Sequence, residues 1–283
     1  MNKKLLSLYG LKWNPFAVEL PPEALRVTPA IQSFCWRIEQ TLVREGGFAL
    51  VTGEPGTGKS VALRILAERL GALAEVTVGA LQHPQSNVAD LYRELGDLFG
   101  VPLKPHNRWG GFRALRERWQ GHIESTLVRP VLLVDEAQEM SAAVLSELRI
   151  LTSTRFDSRL LLTVVLAGDA RLTEKLRRDD LVPLGSRIRT RLTLEPAPRD
   201  ELLTILKHLV TTAGNAKLMT VELMATLVDH ALGNPRVLTT MAAELLALAA
   251  QREATQLDEK LYLEAYAAAG AAAATPRRAG ARR

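Results

Sequence analysis

A glycine-rich octapeptide between an apolar run and a helical pattern constrains the fold of this chain more than any other feature. It reads Gly53-Glu54-Pro55-Gly56-Thr57-Gly58-Lys59-Ser60, after the apolar run 48–52 and before the helical pattern 60–70. Glycines let backbone N–H groups turn inward around phosphates, and the helix N-terminus adds its positive dipole end. Lys59 is placed to reach the β- and γ-phosphates, and Ser60 to ligate Mg2+. The motif predicts an ATP-binding loop that extends to Val61.

An apolar run that ends in two acids supplies the second half of the predicted site. Val131–Val134 is followed directly by Asp135 and Glu136. Ligands bind at the carboxyl ends of the strands in open parallel sheets, which places both acids beside the phosphate loop. We expect Asp135 to hold Mg2+ and Glu136 to orient and polarise the attacking water. The pair predicts ATP hydrolysis rather than binding alone, with Lys59 as the third catalytic residue.

Strand and helix patterns alternate through the first two-thirds of the chain and then give way to helices. The apolar runs typical of buried parallel strands are 48–52, 75–78, 131–134 and 161–167. The helical patterns between them are 60–70, 87–99, 111–125 and 142–152. After the break at Glu195–Pro198, helices are predicted at 199–212, 221–232, 236–252 and 258–268. The fold class is therefore α/β, a parallel sheet flanked by helices, followed by a small all-helical lid.

Composition excludes several classes of protein. The chain has 283 residues, of which 47% are hydrophobic and 24% charged, which is typical of a soluble globular protein. No run reaches the roughly 20 apolar residues of a membrane helix, so we expect no membrane partner and a cytoplasmic location. The single cysteine, Cys35, excludes an intrachain disulfide framework. The net charge of +5 owes four charges to a terminal arginine cluster, Arg277, Arg278, Arg282 and Arg283.

The order of these motifs resembles that of AAA+ ATPases. More narrowly, the segments 9–16, Asp135-Glu136-Ala137-Gln138 and 146–151 resemble the ExeA-type group. The segment Gly168-Asp169-Ala170-Arg171-Leu172, with the basic residues 187–191 behind it, is also similar to the TnsC and TniB regulators of transposition. The resemblance covers nearly all of residues 8–268. It implies an AAA+ P-loop fold that uses ATP and Mg2+.

The resemblance implies roles for residues beyond the phosphate loop. Asp169 stands where AAA+ proteins place a polar sensor of the γ-phosphate, and the alternative is a helix-start role in which its side chain accepts backbone N–H bonds. Ser186-Arg187-Ile188 is similar to the segment that carries the arginine finger, which stabilises transition-state charge on a neighbouring subunit's ATP. Arg187 is the candidate finger. Arg189 and Arg191 stay open as backups or solvent-facing residues.

Two further elements are implied to approach the nucleotide. Gly233-Asn234-Pro235-Arg236 looks like the second sensor, with Arg236 reaching the phosphates; the alternative is a helix cap with a surface arginine. Pro15 and Phe16 match the N-terminal element beside the adenine, and an apolar anchor against the core is the alternative. A finger that acts in trans leaves the site incomplete in one chain, so self-assembly into a ring or a helical filament is implied.

Four parts are therefore predicted along the chain. They are an N-terminal element and helix near the adenine site (1–46), the AAA+ α/β nucleotide-binding domain (47–196), the helical lid (197–268) and an Ala/Arg-rich tail without fixed structure (269–283).

A basic, aromatic stretch between the second and third strands predicts contact with double-stranded DNA. Candidate contacts are Lys104, Arg108, Arg113 and Arg116, with Trp109 and Phe112 interleaved. Such a stretch can follow a phosphate backbone. A solvated helix face is the alternative, because apolar residues at helical spacing, Phe112, Leu115 and Trp119, indicate a side packed in the core.

Three function classes follow. The first, which we favour, is an ATP-dependent regulator of transposition that oligomerises on target DNA and recruits or activates a transposase. The second is an ExeA-like ATPase that assists secretion-system assembly without DNA binding. The third is an ATP-binding scaffold with negligible hydrolysis.

Overall fold

The computed structural model describes residues 2–103, 107–155 and 158–273, which form two compact units. Val27–Glu195 forms an α/β unit, and the segment up to Arg26 joins the chain from Pro196 onward in a helical unit. The expected N-terminal part, residues 1–46, is thus divided between the two units. The helical unit resumes at Pro196.

The α/β unit is built on a parallel sheet, as predicted. Its strands are β1 (Gly47–Gly53), β2 (Val76–Leu81), β3 (Arg129–Val134), β6 (Thr163–Gly168) and β7 (Ile188–Leu194), and the short strands β4 (Ser153–Thr154) and β5 (Arg159–Leu160) form a separate antiparallel ribbon. The order across the sheet is β2-β3-β6-β1-β7, with every pair parallel. β6 is buried along its whole length, because helices cover both faces of the central strands.

Helices supply the crossovers between the parallel strands. The helices that precede β1 are α1 (Asn2–Tyr9), α2 (Pro29–Arg37) and α3 (Val43–Glu45). The helices between the strands are α4 (Lys59–Gly71), α5 (Val88–Leu98), α6 (Arg108–Ser125), α7 (Ala142–Thr152), α8 (Ala170–Lys175) and α9 (Val182–Gly185). Five of these helices begin at side-chain caps, which are Thr28, Asn87, Asn107, Ser141 and Asp169. α6 starts three residues earlier than predicted, because the Asn107 cap satisfies Gly110 N despite two weak helix formers, Gly110 and Gly111.

The helical unit has its own apolar core. It contains α1 together with α10 (Arg199–Thr212), α11 (Val221–His230), α12 (Pro235–Gln251) and α13 (Glu259–Ala273). The end of α1 and the segment that follows it pack into this core through Tyr9, Leu11 and Phe16. Asn215 fastens it by donating its side-chain amide to Tyr9 O at 2.9 Å. Within the described ranges, no helix is both long and apolar enough to span a bilayer.

Candidate functional site

The phosphate loop has a backbone that only glycines allow at three positions. A Cβ on Gly53 would lie 2.6 Å from both Leu194 O and Thr57 Oγ1, which is closer than real Cβ atoms come. Gly56 and Gly58 have φ of +89° and +105°, in the left-handed region that favours glycine. β1 therefore delivers a tight loop to the carboxyl edge of the sheet, directly before α4.

Lys59 lies beneath this loop, only 6% exposed. Its Nζ donates to Gly53 O at 2.9 Å and to Glu54 O at 3.2 Å, and Thr57 Oγ1 donates to the same Glu54 carbonyl at 2.8 Å. A held ammonium group, a glycine-built loop and the start of a 13-residue helix fit the triphosphate of ATP.

The two predicted acids follow β3 at the same edge of the sheet. The Asp135 carboxylate accepts a hydrogen bond from Glu136 N at 2.9 Å. Glu136 has φ of +51° and ψ of +38°, a left-handed conformation that costs a non-glycine residue about 1–2 kcal/mol. Strain of this kind persists where the surrounding structure imposes it and clusters at functional sites.

The residues at this edge also fit a magnesium ion. Ser60, in the first turn of α4, and Asp135 offer the oxygen ligands that Mg2+ prefers. Within the described ranges, no group of three or more His, Cys, Asp or Glu could hold a metal by itself. A bound Mg2+ would take its other ligands from phosphates and water and would neutralise charge on the β- and γ-phosphates.

Asp169 occupies the predicted place after β6, and its contacts are those of a helix start. Its carboxylate caps α8 by accepting from Arg171 N at 2.9 Å, and it pairs with the Arg171 guanidinium at 2.9 Å. The hydrogen bond from the Arg171 side chain lowers the pKa of Asp169 below its ordinary value, against the effect of burial, and the charge of Lys59 contributes. The carboxylate is thus ionised near Lys59. A sensor role stays a prediction.

The three candidate finger residues differ in their contacts within the chain. Arg187, just before β7, donates to Pro183 O. Arg189 and Arg191 lie on the exposed face of β7, where Arg189 pairs with Glu45 and Arg191 Nη2 lies 3.4 Å from Gly185 O. Both arginines thus alternate with buried residues along β7. Which arginine acts in trans stays a prediction.

The remaining nucleotide-site candidates belong to the helical unit. Asn234 caps α12 by accepting from Arg236 N at 3.0 Å, and Arg236 is exposed. Pro15 and Phe16 are buried, with Phe16 in the core of this unit and its N–H bonded to Asn14 Oδ1 at 3.0 Å. Local structure matches the cap and apolar-anchor alternatives. Contact with nucleotide stays a prediction for all three residues.

The candidate DNA contacts lie on or before α6 in different environments. Lys104 is outside the described residues. Arg108 pairs with Glu147, and Arg113 pairs with Glu117 at 2.6 Å. The Arg116 guanidinium lies 4.7 Å from the Phe112 ring centroid, and burial lowers its pKa. The structure therefore places the three described arginines on one helix and engages each in an intrachain contact.

Sequence reasoning missed polar residues that organise the site from behind. Gln138, two residues after Glu136, is 4% exposed and donates its side-chain amide to the Glu136 carboxylate. Lys175, in α8, donates to Gln138 O at 2.5 Å and to Met140 O at 2.8 Å. Glu147 is buried on the apolar face of α7. At 147 the available signal was an acid on the apolar face of a predicted helix.

Comparison with known proteins finds two similarities in sequence. A family model described as an AAA domain matches residues 43–176. General secretion pathway protein A of Aeromonas hydrophila is 30% identical over 248 residues, which cover 86% of this chain and 44% of that protein. The chain thus spans less than half the length of this relative.

Solved structures share the fold. Cdc6p of Pyrobaculum aerophilum aligns with a TM-score of 0.70 at 17% identity, over 86% of this chain and 67% of that one. The ADP form of the Aeropyrum pernix ORC2 protein gives 0.73 at 18%, over 89% and 71%. The Thermotoga maritima RuvB Holliday junction branch migration motor gives 0.56 at 17%, over 90% and 73%. At such low identity these likenesses establish the α/β fold with its helical extension.

Proposed function

We propose that this chain, which matches an AAA domain over residues 43–176, is an ATP-dependent, DNA-binding AAA+ regulator of transposition. In this proposal it oligomerises on target DNA and recruits or activates a transposase, while ATP is hydrolysed at the interfaces between subunits. Its resemblance to the TnsC and TniB regulators motivates the transposition part of the proposal. The DNA-binding part rests on α6.

The observation that carries DNA binding is the exposed aromatic and cationic surface of α6. Trp109 is 72% exposed and stacks on Phe112 with ring centroids 5.6 Å apart. The Arg116 guanidinium lies over the Phe112 ring. Arg113 and Arg118 are exposed on the same helix. Arginine clusters contact the phosphate backbone, and exposed rings add contact with sugars or bases. Lys104 and Arg108 precede this surface in the chain.

Hydrolysis in the proposal uses residues of two subunits. Within one chain, Lys59 binds the β- and γ-phosphates, Asp135 and Ser60 hold Mg2+, and Glu136 orients the attacking water. Arg187 of a neighbouring subunit supplies positive charge to the transition state. The predicted roles of Arg236 at the phosphates, of Pro15 and Phe16 at the adenine and of Asp169 as a γ-phosphate sensor belong to the same proposal. Head-to-tail contacts of this type generate a ring or a filament.

A second function is favoured by one specific comparison. The chain is 30% identical over 86% of its length to General secretion pathway protein A. In this alternative the protein is an ATPase that assists secretion-system assembly through a protein or membrane partner, and DNA has no effect on it. Both functions use the same nucleotide site, so the response to DNA separates them.

The test measures ATP hydrolysis and assembly of the purified chain with and without double-stranded DNA, at low and at physiological salt. The variants are Lys59→Ala, Glu136→Gln and the double change Arg113→Ala with Arg118→Ala. A matched control removes two exposed lysines of the helical unit, Lys207→Ala with Lys217→Ala. We expect assemblies that need both ATP and DNA, and an E136Q protein that assembles without turnover.

Three outcomes separate the candidate functions. Loss of DNA-dependent assembly in the double arginine variant, but not in the double lysine control, supports the regulator. If DNA changes neither assembly nor rate at low salt, the DNA-binding proposal is wrong and the secretion alternative takes its place. If the wild-type protein assembles with ATP but hydrolyses no more than E136Q does, the protein is a nucleotide-dependent scaffold.

A further inference from the structure

Gln138 is held at three points directly behind the predicted catalytic glutamate. Its Nε2 donates to Glu136 Oε2, and its Oε1 lies 3.4 Å from Asp169 N as an acceptor. Its main-chain oxygen accepts from Lys175 Nζ at 2.5 Å. The side chain is 4% exposed, in contrast to the exposed Glu136 that it contacts. It therefore links the turn after β3 to the end of β6.

The neighbouring residues make room for this amide. A Cβ on Gly168 would lie 2.6 Å from Gln138 Oε1 and 2.8 Å from Leu172 Cδ2. Lys175 also holds the turn, since its ammonium group binds Met140 O at 2.8 Å in addition to the Gln138 carbonyl. A glycine at the end of β6 and a lysine in α8 thus fix the position of one glutamine.

The contact restricts a side chain that would otherwise be mobile. A glutamate loses up to about 1.5–2 kcal/mol of rotamer entropy when it is held in one position. Gln138 donates a hydrogen bond to Oε2 of Glu136. Because the carboxylate is planar and rigid, fixing Oε2 restricts the position of the other oxygen, Oε1. Reaction rates respond strongly to such positioning, because a displacement of about 1 Å at a reacting group can cost about 100-fold.

We propose that Gln138 is a positioning residue that orients the Glu136 carboxylate towards the attacking water and ties it to the end of β6. The inference rests on the proposed role of Glu136 as the residue that polarises that water. Gln138 touches neither nucleotide nor water in this scheme and acts through Glu136. Its loss therefore lowers the rate of hydrolysis and leaves nucleotide affinity unchanged.

The test compares Gln138→Met with Gln120→Met, since both replace a glutamine by an uncharged chain of similar length. Gln120 is a matched control because its amide donates to Glu124 on the surface of α6, at 3.1 Å. Single-turnover hydrolysis gives the rate, equilibrium binding of a fluorescent ATP analogue gives the affinity, and thermal melting reports folding. We expect Q138M to lower the rate about 10- to 100-fold, with Kd within about twofold of wild type. Q120M should change neither quantity.

A double-mutant cycle with Glu136→Gln separates this inference from the function beneath it. If Gln138 acts through Glu136, Q138M lowers the residual rate of E136Q by less than about twofold. A Q138M protein with a wild-type or higher rate, or with a Kd raised along with the loss of rate, overturns the positioning role. An E136Q protein with the wild-type rate instead overturns the role of Glu136 itself. If Q138M does not fold, Lys175→Met releases the Gln138 carbonyl and is judged by the same rate, affinity and cycle.

Discussion

Glu147 is 3% exposed, yet its carboxylate pairs with the guanidinium of Arg108, whose side chain is 65% exposed. Tyr92 donates a second hydrogen bond to the same carboxylate at 2.6 Å. The first residue of α6 is thereby fastened to α7, the helix that follows the Asp135–Glu136 turn. Arg108, which we predicted from its charge to contact DNA, therefore makes an ion pair that holds α6 against α7.

Arg108→Met should destabilise the α/β unit. The change leaves a buried carboxylate with one of its partners missing, at a cost of about 1–3 kcal/mol. Arg113→Met should leave the free energy of unfolding unchanged, because its ion pair with Glu117 is on the surface. Urea denaturation monitored by fluorescence measures both. Equal stability of the two variants would mean that the Glu147 contact contributes nothing.

Acidification should weaken the fold through Glu147. Burial alone raises the pKa of this carboxyl, but hydrogen bonds from Arg108 and Tyr92 and the charge of Arg108 outweigh it, so the pKa lies below its ordinary value. A depressed folded-state pKa gives stability that is present above the unfolded pKa, about 4.3, and is lost as pH falls through the folded value. Glu147→Gln should therefore lose less stability than wild type between neutral pH and the acid range. Urea denaturation of both proteins at a series of pH values measures this. An equal loss of unfolding free energy in wild type and in Glu147→Gln on acidification would contradict the prediction.

The left-handed backbone at Glu136 should affect the free energy of unfolding of variants at this position. Glycine adopts this conformation without strain, whereas alanine keeps a penalty of about 1–2 kcal/mol, partly offset by the greater freedom of unfolded glycine. We expect Glu136→Gly to be more stable than Glu136→Ala by up to about 1 kcal/mol, with hydrolysis lost in both. Thermal and urea unfolding check the order. A more stable alanine variant would show that the strain is absent in solution.

Gly53→Ala should disable nucleotide binding. The added Cβ meets a main-chain oxygen and Thr57 Oγ1, so the loop must shift, and we expect Kd for ATP to rise at least about tenfold. Gly71→Ala is the matched control, because a Cβ there meets nothing within 4 Å and alanine suits a helix end better. Equilibrium binding of a fluorescent nucleotide measures both. Normal affinity in G53A would show that the loop can adapt.

A mixture of two inactive variants should regain hydrolysis if Arg187 acts in trans. Arg187→Ala keeps an intact phosphate loop, and Lys59→Ala keeps an intact arginine. In a head-to-tail assembly with random mixing, about one quarter of the interfaces combine the intact halves. ATPase activity of the mixture tests this, with Arg189→Ala in place of Arg187→Ala as the comparison. Recovery with R189A but not with R187A would assign the finger to Arg189.

Short-range features of the chain determined the parallel sheet, its crossovers, the phosphate loop and the acidic pair. Each depends on local periodicity or on residues adjacent in sequence: the loop of Gly53–Ser60 follows one strand directly, and Asp135 and Glu136 follow another. Their positions at one edge of the sheet then follow from parallel pairing. The helix start at Asp169 could likewise be predicted, because a capping side chain accepts a hydrogen bond from a backbone N–H only two residues later in the chain.

Only the tertiary structure decided which polar side chains support that site. Gln138 meets Asp169 N, and Arg108 meets Glu147, across separations of 31 and 39 residues. Neither pair has a local pattern, because the contacts arise when separate elements pack around the sheet. The assignment of the first 26 residues to the helical unit has the same origin, since Tyr9, Leu11 and Phe16 find their apolar partners some 200 residues later in the chain.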